Sequence, residues 1–307
     1  MTFKCGGLRP LAWFAVIVGV FAACFVANQA RAEPAQATAP YRSDRLSVEV
    51  IGSGPDVILI PGLVSSREVW RATADRLKTT HRVHLVQLAG FAGEPWIHGD
   101  GPFVAPVVEA LDAYIRQQGL EQPAVVGHSL GGLIGLRLAQ SHPDSVGRLM
   151  SVDSLPFYSA LFGPTITAES AAPMAEQAAA GLIALSDADF RTGQTNGAVG
   201  MARDPATRAA TVGWSVASDR HAMAAAMRDV ITTDARPGLA AMTTPVTALY
   251  ASDADGGAPA AMADGMWTRE YATLPDVTLI RVDGSRHFIM ADQPAKLAEL
   301  LDAFLAE

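Results

Sequence analysis

The sequence predicts an α/β domain: a mostly parallel sheet flanked by helices, with an inserted helical cap. Three observations lead there. Val57-Ile58-Leu59-Ile60, Ala124-Val125-Val126 and Leu149 to Val152 are short, continuous apolar runs, as expected for strands covered on both faces. Segments of helical spacing alternate with them. That rhythm breaks between about Ser154 and Pro237, where a stretch rich in Ala and Met keeps helical spacing, and strand character returns at Val246 to Tyr250.

Taken in order, Leu46 to Ile51 alternates apolar and polar, the pattern of a half-buried strand, and Gly52-Ser53-Gly54-Pro55-Asp56 is turn chemistry. The strand Val57 to Ile60 stops at Pro61-Gly62. Arg67 to Lys78 reads as a helix, Val83 to Val86 as a strand and Gln87 to Gly101 as a long loop. Val107 to Gln118 is an amphipathic helix with Val108, Leu111 and Ile115 on one face. The strand from Ala124 runs through a Gly-rich turn into a helix over Leu130 to Gln140. After the insert and the strand at Val246, a strand is expected at Val277 to Val282 and a last helix from Pro294 to Leu305. The core thus comprises 45–153 and 238–307, with 154–237 as the cap.

The chain has 307 residues, half of them hydrophobic and 18% charged, enough to bury a sizeable core. A formal charge of −8 leaves no basic footprint, so no nucleic-acid partner is expected. The N-terminus has the order of a secretory signal: Lys4 and Arg9, an apolar run from Leu11 to Ala27, then Ala30-Arg31-Ala32. Residues 1–32 are read as a signal peptide cleaved after Ala32 and 33–44 as a flexible leader, giving a secreted or periplasmic protein with no stable membrane span. An uncleaved anchor and lipidation at Cys24 are the alternatives. Cleavage takes the charge from −8 to −11 and removes Cys5 and Cys24, the only cysteines. No thiol nucleophile, disulfide or Cys metal site is then available, and neither cofactor nor metal is expected.

The chemistry centres on Gly127-His128-Ser129-Leu130-Gly131-Gly132, between a buried strand and a helix. So tight a turn needs small residues two before and two after the serine, and it lifts the hydroxyl out at the carboxyl edge of the sheet. Ser129 is the expected nucleophile and needs a base. Of seven histidines, His287 stands out, on a loop after the strand Val277 to Val282, at the same sheet edge. His128, next to Ser129, is read as structural, its side chain pointing elsewhere. An acid must orient the base. Asp253, just past the strand Val246 to Tyr250, is the best placed, with Asp255 before Gly256 and Asp153 after the strand at Leu149 as alternatives. The backbone N–H groups of Leu63, after Pro61-Gly62, and of Leu130 are the expected oxyanion donors.

Pro61-Gly62-Leu63, the serine turn and Ser285-Arg286-His287-Phe288 together resemble the α/β-hydrolase superfamily, over roughly residues 45 to 307. Arg67-Glu68-Val69-Trp70 and Asp292-Gln293-Pro294 resemble flanking segments of its single-cap members. The resemblance implies nucleophile Ser129, acid Asp253, base His287 and a cap over the pocket. Pro61 replaces the His common there, and Ala251 a common Gly of the acid-bearing loop. The implied activity is carboxylic ester hydrolysis through an acyl-enzyme. Lactone, amide or C–C bond hydrolysis on the same triad, or a non-catalytic binder, are the rivals. Met174, Met201, Met223, Met227, Phe190 and Trp214 fall in the cap. They suggest a small apolar acyl substrate or simply pack the cap onto the core.

Overall fold

The computed structural model describes residues 40–306. Its strands are β1 (Tyr41–Arg42), β2 (Leu46–Gly52), β3 (Asp56–Ile60), β4 (Arg82–Leu88), β5 (Ala124–His128), β6 (Arg148–Val152), β7 (Val246–Ser252) and β8 (Val277–Asp283). They form one sheet in the order β1-β2-β4-β3-β5-β6-β7-β8. From β4 to β8 all neighbours are parallel, while β2 runs antiparallel to both β1 and β4. The expected signal peptide, its cleavage position, Cys5 and Cys24 lie outside the described residues. The leader expected over 33–44 is corrected at its end, because Tyr41 and Arg42 pair with Val48 and Ser47.

The helices are α1 (Arg71–Leu77), α2 (Val104–Gln117), α3 (Leu130–Ser141), α4 (Ala168–Ala184), α5 (Asp187–Met201), α6 (Pro205–Ala217), α7 (Arg220–Thr232), α8 (Arg236–Leu239), α9 (Ala260–Glu270), α10 (Ile289–Asp292) and α11 (Pro294–Ala306). The period of two along β3 sorts its side chains onto two faces. Val57 and Leu59 pack with Leu77 of α1 and Leu297 and Leu301 of α11. Ile58 and Ile60 pack with Leu111 of α2 and Ile134 and Leu138 of α3. Each such burial contributes about 1.5–3 kcal/mol, so covering both faces is what stabilises a sheet of continuous apolar strands. Among the described residues, no helix is long and apolar enough to cross a membrane.

Between β6 and β7 the chain makes no strand and folds α4 to α8. The local sequence sets where these helices begin: the side chains of Thr167, Ser186, Asp204 and Asp219 each accept a hydrogen bond from a first-turn N–H of α4, α5, α6 and α7. Helix α9, which the sequence reading left unassigned, follows β7, and its Trp267 stacks on Tyr250 at 5.0 Å.

Candidate active site

All parallel strands present their carboxyl ends at one edge, and the three chemistry-bearing loops meet there. Ser129 sits between β5 and α3 with φ 54° and ψ −121°, a backbone state that a non-glycine residue holds at a cost of about 1–3 kcal/mol. The turn is held from two sides. The Ser129 N–H donates to the Val152 carbonyl at 2.9 Å, and the Ser129 carbonyl accepts from Gly132 N–H at 2.8 Å. The flanking glycines are sterically required: a Cβ on Gly127 would stand 2.2 Å from the Gly131 carbonyl oxygen, and one on Gly131 would stand 2.4 Å from that of Ile60.

His287 follows β8, and its Nδ1 lies 2.7 Å from Asp153 Oδ2. The carboxylate that meets the histidine is therefore Asp153, not Asp253 as the sequence led us to expect. Asp153 directly follows β6, the neighbour of the serine's own strand, and is held firmly. It has φ 49°, its N–H donates to the Leu249 carbonyl at 2.7 Å, and its Oδ1 accepts from Ala251 N–H at 2.9 Å. Asp253 is displaced because β7 continues to Ser252, two residues further than expected, with Ala251 and Ser252 pairing with Val282 and Asp283. Its carboxylate accepts from Arg286 Nε at 2.9 Å and pairs with Arg203 Nη1 at 2.9 Å. The Arg286 guanidinium above all, with Arg203, holds this carboxyl below the usual aspartate range. Asp255 donates its N–H to Asp253 Oδ1 in the turn and is exposed.

His128, read from the sequence as structural, is buried beside the candidate site and braces the His287 backbone. It is 1% exposed, and its Nε2–H donates to the His287 carbonyl at 2.9 Å. A carbonyl only accepts, so the proton is on Nε2 and Nδ1 is bare; that nitrogen is buried with no hydrogen-bond partner. Burial first, and the nearby His287 second, hold its pKa well below that of an ordinary histidine. The imidazole packs 4.5 Å from the His287 ring. A Cβ on Gly62 would lie 3.0 Å from His128 Nδ1 and 3.1 Å from Ser129 Cβ, so glycine lets the end of β3 approach the serine closely.

These groups open into a cavity of about 670 Å³. Leu63 and Leu130 both line it, and Leu130 begins α3, where an N–H has no acceptor within the helix. The wall is largely apolar. Met201, Met223 and Met227 belong to it, joined by Met262 and Met266 of α9, which the sequence reading did not single out. Met174 instead packs against Met227 and Ile166, and Phe190 is buried beneath the Arg220 guanidinium. Asp153, Asp253 and Arg286 are the charged side chains of the wall, and each is already paired. Among the described residues, no group of three or more His, Cys, Asp or Glu side chains is placed to hold a metal ion.

Fold and sheet edge together define a class: the chain belongs to the alpha/beta hydrolase family, which it matches over residues 57–300. Among particular proteins it is similar to the pimeloyl-[acyl-carrier protein] methyl ester esterase of Aeromonas hydrophila, with 37% identity over 116 residues, 38% of this chain and 44% of that one. The match spans less than half the length of that relative. Similar solved structures include an esterase from Exiguobacterium antarcticum (TM-score 0.71, 18% identity, 85% of this chain and 96% of that one). Another is the enol-lactonase from Burkholderia xenovorans (TM-score 0.69, 15% identity, 85% and 96%). At these identities the two structures bear on the fold alone.

Proposed function

We propose that the protein is an exported serine esterase with Ser129 as nucleophile, His287 as base and Asp153 as the acid that orients it. The observation that carries this reading is the 2.7 Å contact between His287 Nδ1 and Asp153 Oδ2, beside a serine held at positive φ. In that arrangement the carboxylate keeps the Nδ1 proton in place, leaving Nε2 free to take the serine proton. Ser129 Oγ attacks the ester carbonyl, and the oxyanion rests on the N–H groups of Leu63 and Leu130. Each such donor typically contributes about 3–4 kcal/mol to lowering the barrier. His287 gives its proton to the departing alcohol, then activates the water that hydrolyses the acyl-enzyme.

A neutral ester with an apolar acyl group suits the wall, which offers no unpaired charge to a carboxylate or phosphate on the substrate. The helical segment α4 to α7 acts as the cap, since Leu182, Met201, Thr211 and Met223 from its four helices all reach the cavity. Ester hydrolysis also agrees with the esterase named among its relatives. Export rests on the pattern of residues 1–32, and the intact mass of the exported chain checks cleavage after Ala32. The activity is tested by hydrolysis of p-nitrophenyl butyrate and labelling with a fluorophosphonate. Wild type should turn over and label, and Ser129→Ala should do neither while keeping its fold. Wild-type-like turnover by Ser129→Ala would refute the assignment, and an unlabelled, inactive wild type would favour a non-catalytic binder.

A further inference from the structure

Asp253, freed from the role the sequence suggested, holds together a different assembly. Its two oxygens take Arg286 Nε and Arg203 Nη1, each at 2.9 Å, and its side chain is only 6% exposed. Gly256 makes room for this: a Cβ there would lie 3.0 Å from Arg286 Nε. Asp292 makes a parallel tie. Its Oδ2 accepts from Arg286 N–H at 2.9 Å, and its Oδ1 accepts from the N–H groups of Arg203 at 2.8 Å and Asp204 at 3.1 Å. Two further bonds run between the same segments: Arg286 Nη1 donates to the Val199 carbonyl, and Phe288 N–H donates to the Met201 carbonyl at 3.1 Å.

The residues on either side of His287 are thus both bonded to the stretch from Val199 to Asp204, which is the end of α5 and its link to α6. We propose that Asp253 and Asp292, through Arg203 and Arg286, latch the helical insert to the loop of His287 and so position its imidazole for proton transfer. This rests on the esterase reading of the site. The ties are charged or charge-assisted, and the Asp253 carboxylate on which two of them converge is itself buried, so that pairing is stronger than one at the open surface. They act on a base whose placement matters steeply, since a displacement of about 1 Å costs about 100-fold in rate. Arg203, Arg286, Asp253 and Asp292 are positioning residues, and none of them takes part in the chemistry.

The test uses Arg203→Met, Arg203→Lys and Asp292→Asn in the full chain, with active sites counted by fluorophosphonate and kcat expressed per labelled site. Arg203 is 46% exposed, so its replacement leaves the core untouched. Arg203→Met should lower kcat per site about 10-fold, with KM nearly unchanged and the acidic limb of the kcat–pH profile displaced. Arg203→Lys should recover part of the loss, and Asp292→Asn should behave like Arg203→Met. If Arg203→Met or Asp292→Asn folds and keeps wild-type kcat per site and pH profile, the latch is refuted, even where the labelled fraction or Tm falls. Ser129→Ala is the separate control. Activity retained there overturns the esterase reading and the latch with it, whereas an inactive Ser129→Ala beside an unimpaired Arg203→Met overturns the latch alone.

Discussion

Replacing Asp153 with Asn is the sharpest perturbation of the site, and its size follows from two hydrogen bonds. Asp153 Oδ1 accepts from Ala251 N–H at 2.9 Å, and Oδ2 faces His287 Nδ1 at 2.7 Å. The Ala251 group is a fixed backbone donor, so an asparagine must keep its carbonyl oxygen there and turn its NH2 toward His287. Nδ1 then becomes an acceptor, and the imidazole proton moves to Nε2, facing the serine it should deprotonate. The same exchange in a serine-protease triad lowers kcat about 10,000-fold. At 1.36 kcal/mol per tenfold that is about 5.4 kcal/mol of barrier. The assay is steady-state hydrolysis of p-nitrophenyl butyrate at pH 8, with circular dichroism to verify the fold. Asp253→Asn is the comparison and should fall far less, because Asp253 meets arginines. The reasoning fails if Asp153→Asn keeps a tenth or more of wild-type kcat, or if Asp253→Asn proves the more damaging of the two.

Other outcomes follow from the same geometry. Gly127→Ala drives a Cβ to 2.2 Å from the Gly131 carbonyl oxygen and should cost more than about 3 kcal/mol, seen as loss of soluble protein or a large drop in urea midpoint. His128 stays neutral when folded, while the unfolded chain takes up a proton as pH falls below about 6.5. Stability should therefore decline below that pH by up to about 1.4 kcal/mol per unit, measured by urea unfolding from pH 7 to 5, and His128→Asn should flatten the slope. Met227→Trp narrows the cavity and should lower the octanoyl-to-acetyl ratio of kcat/KM at least about 10-fold, since one methylene in a tight pocket is worth about 1–3 kcal/mol.

Much of the fold was legible because its signals are local. Each covered strand is a short apolar run, and α4 to α7 each begin at a Ser, Thr or Asp cap. Ser129 was legible for the same reason, since Gly127 and Gly131 answer clashes within one turn of chain. The choice among Asp153, Asp253 and Asp255 was not local. It depends on how far β7 pairs with β8 beyond its partnership with β6, and that length is set by cross-strand register, which no single segment records. His128, read as structural with its side chain turned away from the serine, does take a structural place, but its partner was not legible. Adjacency to the serine does say that the two side chains diverge. It does not say that the diverging one passes beneath Gly62 to the carbonyl of a residue 159 positions later. Met262 and Met266 went unnoticed because α9 lacks a side-chain cap and has Asp264-Gly265 at its centre.

The cavity's pairing of nearly all its charge has a consequence for what happens after the bond is cut. In the proposed reaction an uncharged ester enters and a carboxylate must leave. An ionised carboxylate is poorly solvated against methionine and leucine walls, and with Arg286 committed to Asp253 it finds no waiting cation there. In that reaction the wall that suits the ester disfavours its acid product, so accumulated acid is expected to compete weakly for the cavity.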